Sequence, residues 1–317
     1  MTDKPIALLP NLVRPLLQSR LPDWLETRWF SGKDEALAQG SGAEIAWLDM
    51  ASKADMAAAI TQARDVRWLN SVYAGVDGIP LDLLQERGTR LTNGAGLNAI
   101  TIAEYVLMGM LTIAKGYREV VHAQQRREWL TVSPGKVELL GSRALLLGYG
   151  AIGQGVHERL TAFGVAVTVV RRSADAARAE LGPDQWRARL GQFDWVILAL
   201  PATAQTQHLI GAAELAAMKP GAVLLNVARG SIVDTDALVA ALQSRHLGAA
   251  FLDVTEPEPL PADHILWSLD NAHISMHLSG RSQTLMFARA ADRFIDNLTR
   301  YRRGQPLLYG VDLALGY

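Results

Sequence analysis

The stretch Leu145-Leu146-Leu147-Gly148-Tyr149-Gly150-Ala151-Ile152-Gly153 decides how this chain is read. Ala144 to Leu147 is a short apolar run suited to a buried strand. Three glycines at the spacing G-x-G-x-x-G follow, and apolar residues then resume at helical intervals. The order is strand, tight turn, helix. Gly148 permits the tight turn, Gly150 lets the backbone approach a pyrophosphate, and Gly153 allows close helix-strand packing. The helix N-terminus offers N–H groups and a partial positive charge to phosphate oxygens. Gly148, Tyr149, Gly150, Ala151, Ile152 and Gly153 are therefore candidate dinucleotide-binding residues. Small residues also crowd ordinary strand-helix turns, so the surroundings must carry the rest.

Downstream the pattern is regular. Strands are predicted at 144–147, 165–170, 194–199, 222–227, 248–252 and 272–275, with helices at 151–162, around 175–190, 211–218 and 234–245. Alternation at this spacing predicts a doubly wound parallel sheet. Upstream, Ile6 to Leu9, Glu44 to Leu48, Arg67 to Val72 and Arg90 to Thr92 read as strands, with a helix over Ala51 to Arg64. Asn98 to about Gln125 reads as one long amphipathic helix, with Ala103, Val106, Met110, Ile113 and Tyr117 along a stripe, able to bridge two domains. Thr131 to Gly135 breaks the periodicity as a loop, and a final helix over about Arg281 to Arg303 is long enough to return to the first domain. The expected fold class is α/β: two Rossmann-like or flavodoxin-like domains with doubly wound parallel sheets and a cleft between them. The dinucleotide-binding domain is placed at 97–286 and the second at 1–96 plus 287–317.

Composition sets the limits. The 317 residues suffice for two domains that each bury a core. Lys+Arg 31 against Asp+Glu 32 leaves a net charge of -1, so no broad basic face for nucleic acid is implied. The chain has no cysteine, which excludes disulfides, thiolate metal sites and a cysteine nucleophile; no metal site is assigned. The start, MTDKPIALLPNL, lacks a signal-peptide pattern, and no apolar run approaches about 18 residues. A soluble cytoplasmic protein without membrane or nucleic-acid partners is the expectation.

A second signal lies about 20 residues past the glycine turn, where an acidic residue would bind the ribose 2′-hydroxyl of NAD. The residues there are Val169-Val170-Arg171-Arg172-Ser173, with no acid among them. An arginine at this point accepts a 2′-phosphate through charge-assisted hydrogen bonds, so Arg171, Arg172 and Ser173 favour NADP(H), with NAD(H) the alternative.

Longer motifs now accumulate. Glu138-Leu139-Leu140-Gly141-Ser142-Arg143 leads into the glycine turn, and Leu200-Pro201-Ala202-Thr203-Ala204-Gln205-Thr206 follows the next strand but one. Asn226-Val227-Ala228-Arg229-Gly230 and Leu252-Asp253-Val254-Thr255-Glu256-Pro257-Glu258-Pro259-Leu260-Pro261 come next, and then His277. Together they resemble the D-isomer-specific 2-hydroxyacid dehydrogenases over most of the chain. The order Arg229, Glu258, His277 is far more specific than the glycine pattern. The ending, Val311-Asp312 to Gly316-Tyr317, is similar to the glyoxylate/hydroxypyruvate reductase branch.

Reducing a 2-keto acid needs a hydride donor, a cation for the carboxylate and an acid for the carbonyl oxygen. Arg229 can clamp carboxylate and carbonyl, His277 can deliver the proton, and a glutamate can orient the imidazole. Glu256 rivals Glu258 for the last role; the resemblance selects Glu258, immediately before the second proline of its motif. It further implies coenzyme contacts from Leu200, Pro201, Thr206, Val227, Ala228 and Asp253, the last accepting from the nicotinamide carboxamide. Tyr73-Ala74-Gly75-Val76-Asp77 is similar to the family loop whose N–H groups meet the substrate carboxylate, which points to Ala74 and Gly75. Trp47, ending an early strand, is a further candidate to face the substrate. Met276 stands where the family often has proline, and His273 is a nearby decoy for the acid. The resemblance implies a homodimer through the coenzyme domains and NADPH-dependent reduction of glyoxylate, hydroxypyruvate or a similar small 2-keto acid to the D-2-hydroxy acid. Two other readings stand beside it. One is an NAD-dependent dehydrogenase for another hydroxy acid; the other is a non-catalytic dinucleotide sensor, against which the complete Arg229, Glu258, His277 set argues.

Overall fold

The computed structural model describes residues 4–76 and 78–316; Asp77 of the predicted substrate loop and Tyr317 of the predicted ending lie outside the described residues. The chain divides into two compact units, Met1–Asn98 with Gln283–Tyr317, and Ala99–Ser282, where the sequence placed the boundaries at 97 and 286.

The first unit is built on five parallel strands: β1 (Ile6–Pro10), β2 (Glu26–Phe30), β3 (Ala43–Trp47), β4 (Trp68–Asn70) and β5 (Arg90–Thr92), in the spatial order β2-β1-β3-β4-β5. This is the doubly wound order of flavodoxin-like sheets. Side chains alternate between two cores: Leu8 and Ala46 face one, with Met56, Ile60 and Leu84, while Ala7, Leu9 and Ile45 face the other, with Phe294 and Leu298 of the helix Met286–Arg302. β2 does not appear in the sequence reading. It is an edge strand with charged Glu26 and Arg28, so it lacks the apolar run that marks its buried neighbours.

The second unit holds six parallel strands: β6 (Arg143–Leu147), β7 (Ala166–Val170), β8 (Trp195–Leu198), β9 (Val223–Asn226), β10 (Ala249–Leu252) and β11 (Ala272–Ile274), in the order β11-β10-β9-β8-β6-β7. Leu145, Leu147, Val196, Leu198 and Leu224 point to one buried face, and Ala144, Leu146, Trp195, Ile197 and Leu225 to the other. Burial on both faces is why these strands read as continuous apolar runs.

Two predicted helices differ. The stretch 175–190 forms only the short 3-10 turns Ala176–Arg178 and Arg187–Gln192, because Gly182-Pro183 interrupts it and Leu181 pairs beside Val170. The long helix is two, Ala99–Ala114 and Tyr117–Arg126, bent by 67° at Lys115-Gly116. Gly116 takes φ 59°, and the backbone of Pro134-Gly135 lies against that point, leaving no room for a side chain. The apolar stripe accordingly ends within the first helix: Ala103, Val106 and Met110 are buried, whereas Tyr117 is exposed.

Candidate active site

In an all-parallel sheet every loop that follows a strand emerges at one edge, so the order of strands decides which loops meet. β9, β10 and β11 are neighbours, and Arg229, Asp253 and His277 each follow within three residues of a strand end. The ladder continues past the strands: the Asp253 N–H donates to the Asn226 carbonyl at 2.9 Å, and the His277 N–H to the Asp253 carbonyl at 2.6 Å. The turns carrying Arg229 and His277 are two strand spacings apart, about 10 Å, within reach of an arginine side chain.

Each turn has its own brace. Buried Asn226 donates through Nδ2 to the Arg229 carbonyl at 2.9 Å and accepts from the Ala228 N–H at 3.0 Å, fixing the Arg229 backbone. Sequence reasoning gave Asn226 no role, although its place in the arginine motif was a signal. An added Cβ at Gly230 would lie 2.0 Å from the Thr255 carbonyl oxygen, so only glycine lets the arginine turn press against the loop that brings in Glu258. Arg229 Nη1 donates to the Ala228 carbonyl at 2.7 Å.

His277 Nδ1 lies 2.6 Å from Glu258 Oε1, both side chains being partly exposed. Glu256 instead lies 3.6 Å from His208 Nε2. Of the two glutamates, Glu258 is thus the one beside the imidazole. The decoy is of another kind: burial first, and then nearby Arg118, push the His273 imidazole down to about 4, so it is neutral at physiological pH and has no proton to deliver. Met276 and His277 adopt φ 53° and 56°, left-handed conformations that cost about 1–2 kcal/mol each for residues with a side chain. Proline, held near φ −65°, does not fit the conformation found at 276.

The glycine turn lies where the strand order reverses, with β6 between β7 and β8. Gly148, at φ 102°, donates its N–H to Val170 at 2.9 Å, and a Cβ on it would come within 2.3 Å of the Ala199 carbonyl oxygen. A Cβ on Gly153 would come within 2.2 Å of the Gly148 carbonyl oxygen. Gly150 differs: an added Cβ meets nothing within 4 Å, and this N-cap of the twelve-residue helix Ala151–Ala162 carries no side-chain cap. The turn therefore leaves open space in front of a helix N-terminus, the fit a pyrophosphate requires.

Residues 107–279 match the sequence profile of the D-isomer specific 2-hydroxyacid dehydrogenase NAD binding domain. The chain belongs to this family. Glyoxylate/hydroxypyruvate reductase B of Yersinia pestis (strain Pestoides F) is 33% identical over 249 residues, 75% of this chain and 76% of that protein. A D-isomer specific 2-hydroxyacid dehydrogenase family protein of Aeromonas salmonicida superposes with a TM-score of 0.86 at 32% identity, covering 98% of this chain and 100% of that one. The Sinorhizobium meliloti NADPH-dependent glyoxylate/hydroxypyruvate reductase, in complex with NADP and malonate, gives 0.78 at 25% identity, covering 99% and 98%. This 2-hydroxyacid dehydrogenase is thus an oxidoreductase of a nicotinamide dinucleotide and small 2-keto or 2-hydroxy acids.

Other sequence-assigned residues of the dehydrogenase stand as follows. Arg172 and Ser173 are exposed after β7, but Arg171 Nη1 lies 3.8 Å from the buried Glu180 and its guanidinium 5.7 Å from the Tyr149 ring. Glu180 brings a second carboxylate, beside Asp175, to this loop. Leu200 and Pro201 border the loop after β8, and the Thr206 hydroxyl braces that loop, donating to the Pro201 carbonyl at 2.9 Å. Val227 and Ala228 are buried and their N–H groups are engaged by the Leu198 carbonyl and by Asn226. Asp253 is 2% exposed, and its carboxylate accepts from the Ser275 hydroxyl and from the N–H and hydroxyl of Ser279. In the first unit, Ala74 and Gly75 follow β4, and Asn93 Nδ2 donates to the Ala74 carbonyl at 2.8 Å. Trp47 is 1% exposed, packs on Phe294 with 5.5 Å between centroids and donates to Asp49 at 2.7 Å; it is core, not a substrate contact. Asp49 also accepts from Ser71 and the Val72 N–H, and burial pushes its carboxyl above the usual carboxylate range. Among the described residues no group of acids and histidines could hold a metal ion.

The His273 shift predicts a pH signature. With the folded value depressed to about 4 against about 6.5 in the unfolded chain, this group leaves stability intact above pH 6.5 and removes it as pH falls from there towards 4. Discounting for its solvent-exposed part, the loss is on the order of 1–2 kcal/mol, and a His273→Asn variant should show a flatter unfolding free energy over that window in urea titrations.

Proposed function

We propose that the protein reduces a small 2-keto acid such as glyoxylate or hydroxypyruvate to the D-2-hydroxy acid with NADPH. The observation that carries this reading is the 2.6 Å contact between His277 Nδ1 and Glu258 at the strand edge that also bears Arg229. With Nδ1 held by the carboxylate, Nε2 is the nitrogen that delivers a proton to the C2 oxygen, and Glu258 orients the imidazole for that transfer. The Arg229 guanidinium binds the substrate carboxylate and the developing oxyanion as a planar fork. Ala74 and Gly75 are assigned to the carboxylate as main-chain donors. When bound, the reduced nicotinamide supplies the hydride to C2. Gly148, Gly150 and Gly153 hold its pyrophosphate at the helix N-terminus, and Arg172 with Ser173 takes the 2′-phosphate, while Arg171, engaged by Glu180, packs beside Tyr149. The Sinorhizobium meliloti enzyme's complex with NADP and malonate supports the coenzyme and the carboxylate substrate.

Steady-state oxidation of NADPH and of NADH with glyoxylate, hydroxypyruvate, pyruvate and a bulkier aromatic keto acid tests the reading. NADPH with a small keto acid should give the highest kcat/KM, and Arg172→Ala should raise KM for NADPH about tenfold or more while leaving NADH unchanged. A clear preference for NADH overturns the coenzyme assignment; tight coenzyme binding without turnover on any keto acid leaves a sensor.

We further propose a homodimer through the coenzyme unit. Trp129 is 94% exposed and, with the exposed Val120, Leu130 and Val132, lines part of an open groove of about 660 Å³. A cluster of exposed large apolar side chains is what an interface covers. Light scattering should find twice the 34.5 kDa chain mass, and Trp129→Glu should yield the monomer; a monomeric parent protein contradicts this.

A further inference from the structure

Ala74 and Gly75 belong to the loop after β4, and that loop is gripped from both neighbouring strands, β3 and β5. On one side stands Asp49, just past the end of β3. Its Oδ2 accepts from the Val72 N–H and, at 2.7 Å, from Trp47 Nε1; its Oδ1 accepts from the Ser71 hydroxyl at 2.6 Å. The Ser71 oxygen in turn accepts from the Tyr73 N–H at 3.1 Å, so one carboxylate reaches Ser71, Val72 and Tyr73 in succession. On the other side, past β5, Asn93 Nδ2 donates to the Ala74 carbonyl at 2.8 Å, and the Gly94 N–H donates to the Tyr73 carbonyl at 2.8 Å. A Cβ at Gly94 would lie 1.8 Å from the Val72 carbonyl oxygen, so the two loops press backbone on backbone. Arg293 closes this side, its Nη1 donating to the carbonyls of Asn93 at 3.2 Å and Ala95 at 2.8 Å.

The grip has a definite end. The N–H groups of Val72 and Tyr73 are taken up, whereas those of Ala74 and Gly75 donate to no acceptor among the described residues, and Ala74 is exposed. We infer that Asp49 and Ser71, with Asn93 opposite, are positioning residues for the substrate: they fix the loop so that two successive main-chain donors, Ala74 and Gly75, stand ready for the carboxylate of the 2-keto acid. The inference rests on the reading above that assigns these donors to the carboxylate. Loops are the mobile part of a fold, and N–H groups on a loose loop would have to be ordered by the substrate itself, at a cost in affinity. Bracing the loop from β3 and β5 removes that cost before the substrate arrives. Ser71 is 4% exposed and lies behind the two donors in the chain, so it acts through the loop and not by contact. Trp47 has its place here as well, its indole N–H holding Asp49.

The test uses the full-length enzyme, comparing Ser71→Ala and Asp49→Asn with the unaltered protein. Steady-state kcat and KM for glyoxylate are measured at saturating NADPH, and NADPH Kd is followed by nicotinamide fluorescence. Losing a hydrogen bond to a charged group weakens binding about tenfold or more, so Ser71→Ala should raise the KM for glyoxylate by that factor while NADPH Kd changes less than about twofold. A merely structural role would lower kcat through the fraction of active enzyme and leave KM where it was. That result, constants all within about twofold, or an equal weakening of glyoxylate and NADPH overturns the brace alone. Asp49→Asn keeps the shape of the side chain but not the second carboxylate oxygen that Ser71 holds, so its KM should rise with NADPH Kd unchanged; it decides by the same criterion if Ser71→Ala does not fold. An unaltered protein that binds NADPH and turns over no small keto acid overturns the parent reading, and this one with it.

Discussion

The site depends on a main-chain ladder that does not stop where the strands do. One hydrogen bond from Asp253 to Asn226 and one from His277 to Asp253 carry the parallel register of β9, β10 and β11 into their loops. The loops that bear Arg229, Glu258 and His277 are thereby spaced by the sheet and not by their own flexible lengths. A parallel sheet buried on both faces is among the stiffest supports a fold offers, and its carboxyl edge is where all these loops emerge. The imidazole and its carboxylate meet at 2.6 Å although nineteen residues separate them along the chain.

The same edge serves the coenzyme. The reversal of strand order at β6 opens the position that the glycine turn fills, squeezed between the ends of β7 and β8. Where the turn must be tight, an added Cβ strikes backbone; where a pyrophosphate must approach, it strikes nothing. Beside it, Glu180 sits next to one member of the arginine pair. A buried carboxylate 3.8 Å from Arg171 draws that residue into the loop's own structure, while Arg172 next to it is exposed.

Much of this was legible in the sequence because the physics is local. Two-faced burial makes apolar runs, so every strand of the second unit was readable, and the helix after the glycine turn fell on 151–162 as the pattern predicts. The order of arginine, glutamate and histidine pointed to the pair that the structure brings together. What stayed hidden was non-local. β2 is an edge strand with polar residues; the bend at Gly116 depends on a loop that packs against it; and Trp47 ends its strand in a core completed by Phe294, far along the chain. Asp253 shows the limit most sharply. Its place at a strand end is plain in the sequence, but the serines that take up its carboxylate lie twenty-two and twenty-six residues away.

In the proposed reaction Glu258 acts through His277 and not independently of it. A double-mutant cycle on kcat with Glu258→Gln, His277→Gln and the combined variant measures this directly. If the carboxylate serves only to orient the imidazole, the double variant is no slower than His277→Gln alone. Losses that multiply across the two substitutions would contradict this coupling, since the two groups would then be acting separately on the reaction.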